Sequence, residues 1–184
     1  MRRGTAALLV LAASCASMPP AEEQVRAAFE AWRAAAAAGD AAATFRGMTG
    51  GFKSEWIFNR LMARDPLVED WRARMEGGPR TDLDLWLEHQ RRYKEGRVAS
   101  LPASVLGHPS ILKLWEDSFS RDKDAVKVQF TGLSIARVYI DETGATVVAH
   151  SLVQKSEMYA MVPDVDGWKV DGHREGLRLL KQPR

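Results

Sequence analysis

Histidine is the side chain most readily turned to proton transfer or metal binding near neutral pH, and this chain holds four, His89, His108, His150 and His173. They are scattered, and no two stand at a spacing that a helix or strand would turn into a metal site, so neither a metal nor a cofactor is expected. The chain has no glycine-rich phosphate loop, no His-Glu-x-x-His helix and no Gly-x-Ser-x-Gly elbow. His150 stands apart from the other three. It falls in an alternating stretch, in phase with Val148 and Leu152, so that in a strand the three share one face. A concave face would put the imidazole in a cavity. An outer or core face would leave it a hydrogen-bonded structural residue, the reading preferred because spacing fixes no second group beside it. The six tryptophans are spread so that nearly every expected element carries one, the pattern of core filling. Trp56 and Trp168 are the two expected to join His150 if a ligand pocket exists, and Trp168 is expected to be largely buried.

The other reactive group is the only cysteine, Cys15. Before it come Arg2 and Arg3, an apolar run from Ala6 to Ala13, and Ser14, the layout of a secretory signal. The run is far shorter than the about 20 apolar residues that span a membrane. Leu11-Ala12-Ala13-Ser14-Cys15 resembles the lipobox of bacterial lipoproteins, with Ala12 where leucine is usual. That resemblance implies a signal peptide over 1–14, a diacylglyceryl group on the Cys15 sulfur, and a short linker over 15–20 containing Pro19-Pro20. The rival reading is a secreted protein cut at a small-x-small site such as Ser14-Cys15-Ala16. Acyl chains contribute about 0.8 kcal/mol per buried methylene, so two or more would hold the domain stably at a membrane.

Charge narrows the partners. The full chain has 26 basic and 24 acidic residues; removing residues 1–14 takes away Arg2 and Arg3 and no acid, which leaves the two signs balanced. No basic stripe remains for a nucleic acid, and none is expected as a partner. With Cys15 committed elsewhere no disulfide is available, so stability must come from a core, and the rest of the chain is long enough to bury one as a single domain over 21–176. The basic residues of the tail over 177–184, with Arg174 before it, could touch anionic headgroups. A solvated terminus is the preferred reading.

The elements that must position these side chains change character along the chain. Glu22 to Ala38 puts Val25, Ala28, Phe29, Trp32, Ala35 and Ala36 at helical spacing. Gly39 fits its stop, and Asp40 fits the cap of a short second helix through Phe45. Phe52 to Met62 is expected to be helical, as are stretches beginning at Asp65-Pro66 and Thr81, and another from near Pro109 with Leu112, Trp115 and Phe119 inward. These form a helical middle segment over 52–120. After Asp124 the pattern alternates, in Val126, Val128 and Phe130 and then in Ala136, Val138 and Ile140, which predicts strands. Asp141-Glu142-Thr143-Gly144 is a hairpin turn, Thr146 to Val153 and Met158 to Val162 are the next strands, and Pro163 to Gly167 turns into a last one, Trp168 to Asp171. Helices followed by an antiparallel meander predict an α+β domain: N-terminal helices on a curved, cone-like C-terminal sheet, with a helical insertion in the middle.

The helix ending in Gly39-Asp40, the short second helix and the closing Asp166-Gly167-Trp168-Lys169-Val170-Asp171 resemble the nuclear-transport-factor-two-like superfamily, with its SnoaL-type and steroid-isomerase-like members. The resemblance covers the two ends of the chain. It implies that His150 could serve as a general acid or base in a cavity, with Asp171, Tyr159 and Tyr139 nearby by strand order, and that the domain could form a homodimer through its sheet. Three functions follow as expectations. The first is an envelope lipoprotein, of the outer membrane facing the periplasm, whose non-catalytic domain binds a small apolar ligand or a protein partner. The second is a small lyase or isomerase using acid-base catalysis, and the third an assembly module.

Overall fold

The computed structural model describes residues 19–62, 100–152 and 155–174. Cys15, the signal, the helices expected from Asp65 and Thr81, His89 and the tail lie outside the described residues. The chain is α+β, with helices in the N-terminal part and a curved antiparallel sheet at the C-terminal end, as the patterning predicts.

Helix α1 covers Ala21–Ala38 and buries Val25, Phe29, Trp32 and Ala36, one face of a 3.6-residue period. It stops at Gly39, whose φ of 77° is the left-handed region that glycine enters without cost. Asp40 then caps α2, Ala41–Arg46, by accepting the Ala43 N–H at 2.8 Å. Helix α3 is Gly50–Met62, α4 is Ala103–Leu106 and α5 is Pro109–Arg121. Helix α5 buries Ile111, Leu114, Trp115, Ser118 and Phe119. Trp115 and Phe119 therefore face inward as expected, whereas Leu112 is 38% exposed and faces out.

Lys123–Thr131 is the sixth helix among the described residues, α6, and not the strand that Val126, Val128 and Phe130 suggest. Residues 126 and 130 satisfy an i, i+4 period as well as an i, i+2 one, and Val128 decides between them. A strand would bury all three, but Val128 is 68% exposed while Val126 and Phe130 pack against the core.

The sheet is a meander of β1 (Ser134–Asp141), β2 (Gly144–His150), β3 (Ser156–Asp164) and β4 (Gly167–Arg174) in that order. Each neighbouring pair is antiparallel. Two bulges break its register. One, between Ile135 and Arg137, leaves Ala136 unpaired and sets Ile135 and Val138 on the core face in place of the Ala136-Val138-Ile140 alternation. The other, opposite Ala160 and Met161, leaves Asp171 unpaired. Beyond β4 the chain between α2 and α3 adds a short parallel bridge: Thr49 N–H donates to Val170 O at 2.8 Å and Val170 N–H to Gly47 O at 2.9 Å.

Two apolar clusters hold these parts together. One lies between α1 and the sheet, with Val25, Phe29 and Trp32 against Val147, Tyr159, Met161 and Val170. The other joins α2, α3, α4 and α5 around Phe45, Ile57, Val105 and Trp115, and Phe52 and Phe130 pack against both. Phe29→Ala is therefore expected to cost about 3 to 5 kcal/mol in chemical denaturation, the range for a fully buried phenylalanine. Val128→Ala should stay within about 0.5 kcal/mol of the parent, as surface changes do. A large loss at Val128 would mean that residues 123–131 pack as a strand.

Candidate functional site

The residues singled out by sequence are not gathered in one place. On β2, Ala145, Val147 and Ala149 point to the core, so His150 has the opposite phase. It is exposed at the strand's end, with Ser156 Oγ 3.3 Å from Nδ1 across the β2–β3 pairing. Strand β2 ends there, so Leu152 does not extend it, and Leu152 is 76% exposed.

Asp171 is buried, and its Oδ1 accepts the Thr49 hydroxyl at 2.7 Å. The same Thr49 oxygen accepts the Phe52 N–H at 3.1 Å, which caps the first turn of α3. Asp171 therefore orients the residue that starts a helix, and it does so from the bulge in β4, where it has no partner in the ladder. It is not brought to His150.

Tyr159 is 1% exposed, with ring centroids 5.0 Å from Phe29 and 5.6 Å from Trp32. Its hydroxyl donates to Glu157 Oε2 at 2.6 Å. Burial first, and then the hydrogen bond to Glu157 and its charge, hold the phenol far above its ordinary range, so it remains protonated. Glu157 is the partner that the sequence patterning did not single out. The two stand at i and i+2 on a strand, which places them on one face, and that spacing could have revealed the pair. Tyr139, by contrast, is 51% exposed on β1 beside Arg137, whose Nη1 donates to its hydroxyl at 3.4 Å.

Trp56 and Trp168 pack against different apolar clusters. Trp56 is part-buried on α3, edge-on to Trp115 at 4.8 Å, with the Arg60 guanidinium 5.4 Å from its centroid. Trp168 is also only part-buried, against the expectation, because it stands opposite Pro163 one residue from the exposed β3–β4 turn. His108 caps α5, its Nδ1 accepting the Ser110 N–H at 3.2 Å. His173 lies on β4 opposite Tyr159 in the register. Among the described residues no group of three or more histidine, cysteine or acidic side chains could hold a metal ion.

Two lysines complete the electrostatics. Lys169 reaches Asp164 at 3.0 Å and Asp166 at 3.2 Å. Lys53, on α3, lies 4.7 Å from the Phe45 ring centroid, and its ammonium is held below the ordinary lysine range by burial and then by Lys169, against an opposing pull from Asp164. No protein-family model matches the chain, and no curated protein or solved structure is significantly similar to it.

The hairpin pair sets an expected pH dependence. The Lys169 hydrogen bond lowers the Asp164 carboxyl below its ordinary 3.8, so the contribution of Asp164 is present above that value and lost as pH falls through the folded one. The hydrogen bond to Asp164 raises Lys169 above its ordinary 10.5, so its contribution is present below that value and lost as pH rises through the folded one. Lys169→Ala is thus expected to flatten both limbs of the stability profile measured by thermal melts across pH. Limbs of unchanged steepness would show that the pair carries no linkage.

Proposed function

We propose that this protein is a bacterial envelope lipoprotein, anchored through lipid on Cys15, whose domain works by contact with a protein partner and not by turnover. The observation that carries the reading is the position of the only cysteine, directly after a signal-like segment and shortly before α1 begins at Ala21. A linker that short holds the domain close to the membrane surface. The preference for binding rests on the dispersal of the polar candidates: His150 is on the exposed side of the sheet, and Asp171 is engaged in starting α3. The preference for a protein partner over a small apolar ligand rests on Phe29, Trp32 and Tyr159 occupying the space between α1 and the sheet. We also propose kinship with the nuclear-transport-factor-two-like superfamily, supported by the α1–α2 order and the C-terminal meander alone.

The second reading, an acid-base lyase or isomerase, is favoured by one observation, the Tyr159 hydroxyl and Glu157 carboxylate 2.6 Å apart. A protonated phenol beside a carboxylate is a usable donor and base. In that case Glu157→Gln and Tyr159→Phe would each abolish a turnover while leaving the fold intact.

Anchoring is tested by expressing the full chain in a bacterial host, fractionating the envelope and weighing the N-terminal peptide. The expected result is a mature protein that begins at Cys15, carries a diacylglyceryl group and sediments with membranes, and a Cys15→Ser form that is not lipidated. A mature protein that begins after Cys15 would overturn the proposal.

A further inference from the structure

Among the described residues strand β1 is an edge of the sheet. It pairs with β2 on one side only, and no other backbone hydrogen bond joins any residue from Ser134 to Asp141 to the described chain. Such an edge offers a row of unpaired N–H and C=O groups to another strand, and proteins usually blunt it with a bulge or a charge. Here the bulge lies at the start, between Ile135 and Arg137, and the stretch from Arg137 to Asp141 runs in regular register against β2. Tyr139 and Ile140, in the middle of that stretch, are 51% and 43% exposed.

The order of side chains along the regular stretch is Arg137, Val138, Tyr139, Ile140, Asp141. Read backwards, this order is its own chemical complement. An antiparallel copy centred on Tyr139 sets Tyr139 against Tyr139, Val138 against Ile140 of the second copy, and Arg137 against its Asp141. Residues 137, 139 and 141 share the sheet face that points away from α1, so both ion pairs and the aromatic pair fall on one side. Val138 and Ile140 extend the core face on the other. The Asp141 carboxylate is available for this: Oδ1 takes the Thr143 N–H, the Thr143 hydroxyl and the Gly144 N–H, and Oδ2 has no partner among the described residues. The Arg137 guanidinium has the Tyr139 hydroxyl and no carboxylate among its partners in the described residues. Cross-strand opposite charges and aromatic pairs contribute favourably, whereas a register slipped by two residues would lose both ion pairs.

We propose that β1 is a homodimerisation edge, on which a second copy of this chain pairs antiparallel about a two-fold axis at Tyr139, with Arg137 of each copy on Asp141 of the other. The contact is isologous, as a two-fold axis requires. Pairing over residues 137–141 buries less than the about 1,200 Å² of a stable interface, so the dimer depends on concentration. The inference is independent of lipid on Cys15.

Sedimentation velocity over a wide concentration range, on the full chain with Cys15→Ser, provides the test. The expected result is a monomer–dimer equilibrium that Arg137→Glu and Asp141→Lys each weaken by about tenfold, since each change turns two attractive pairs into repulsive ones. An equimolar mixture of the two variants should associate again. In the mixed dimer the glutamate introduced at position 137 of one copy meets the lysine introduced at position 141 of the other, while the unchanged Asp141 and Arg137 form the second pair. Asp141 also holds the β1–β2 turn, so a cross-link serves as the second measurement: in the Cys15→Ser chain, Tyr139→Cys is expected to form a disulfide dimer on mild oxidation and Arg137→Cys is not. A monomer at every concentration, a dimer unmoved by the charge reversals, or equal cross-linking at 137 and 139 would overturn the proposal.

Discussion

The packing of Phe29 and Trp32 on Tyr159 is the contact on which the rest of the fold depends. Phe29 lies 5.0 Å from the tyrosine ring, and Trp32 meets both Tyr159 and the edge of Phe130, at 5.6 and 5.1 Å. One helix thereby holds the middle of the sheet and α6 at once. Trp32 also fixes the chain after α2, because a Cβ at Gly47 would come within 2.7 Å of Trp32 Cδ1 and only glycine fits there. Gly47 in turn bonds Val170, so the same indole governs how β4 is closed. Its Nε1 is buried without a partner among the described residues. An orphaned donor costs about 1 to 3 kcal/mol, which the burial of three large rings offsets.

This arrangement places the polar chemistry at the margins. A helix packed ring to ring on a sheet leaves the space between them to side chains, and a titratable group there must be neutral or paired. Tyr159 is both, a protonated phenol on Glu157. Asp171 is kept at the sheet's far edge, where Thr49 and the start of α3 satisfy it. His150 and Tyr139 face outward. In the proposed reading the domain therefore meets other molecules through its surface, above all the β1 edge, which pairs only with β2 among the described residues.

Local signals make much of the fold legible in the sequence. Gly39-Asp40 between two helices and Asp141 to Gly144 between two strands act through their own backbone, so the residues themselves announce the break. The α1 face is equally plain, since Val25, Phe29, Trp32 and Ala36 fit only one period. Where two periods fit, sequence cannot decide, and Val126 and Phe130 suggest a strand although they belong to α6. The bulges at Ala136 and Asp171 are out of reach because they arise from pairing with another strand, not from the bulged residue. The use of Asp171 is equally hidden, since its partner Thr49 is 122 positions away. The Glu157–Tyr159 pair is within reach.

The claim that the space between α1 and the sheet is filled by its own side chains, leaving function to the surface, is tested most directly with xenon, which enters dry apolar cavities and binds no packed core. In crystals of the protein pressurised with xenon, the expected map shows no xenon among Phe29, Trp32, Tyr159 and Val147. An ordered xenon atom there would reveal a ligand-sized apolar cavity and contradict the account.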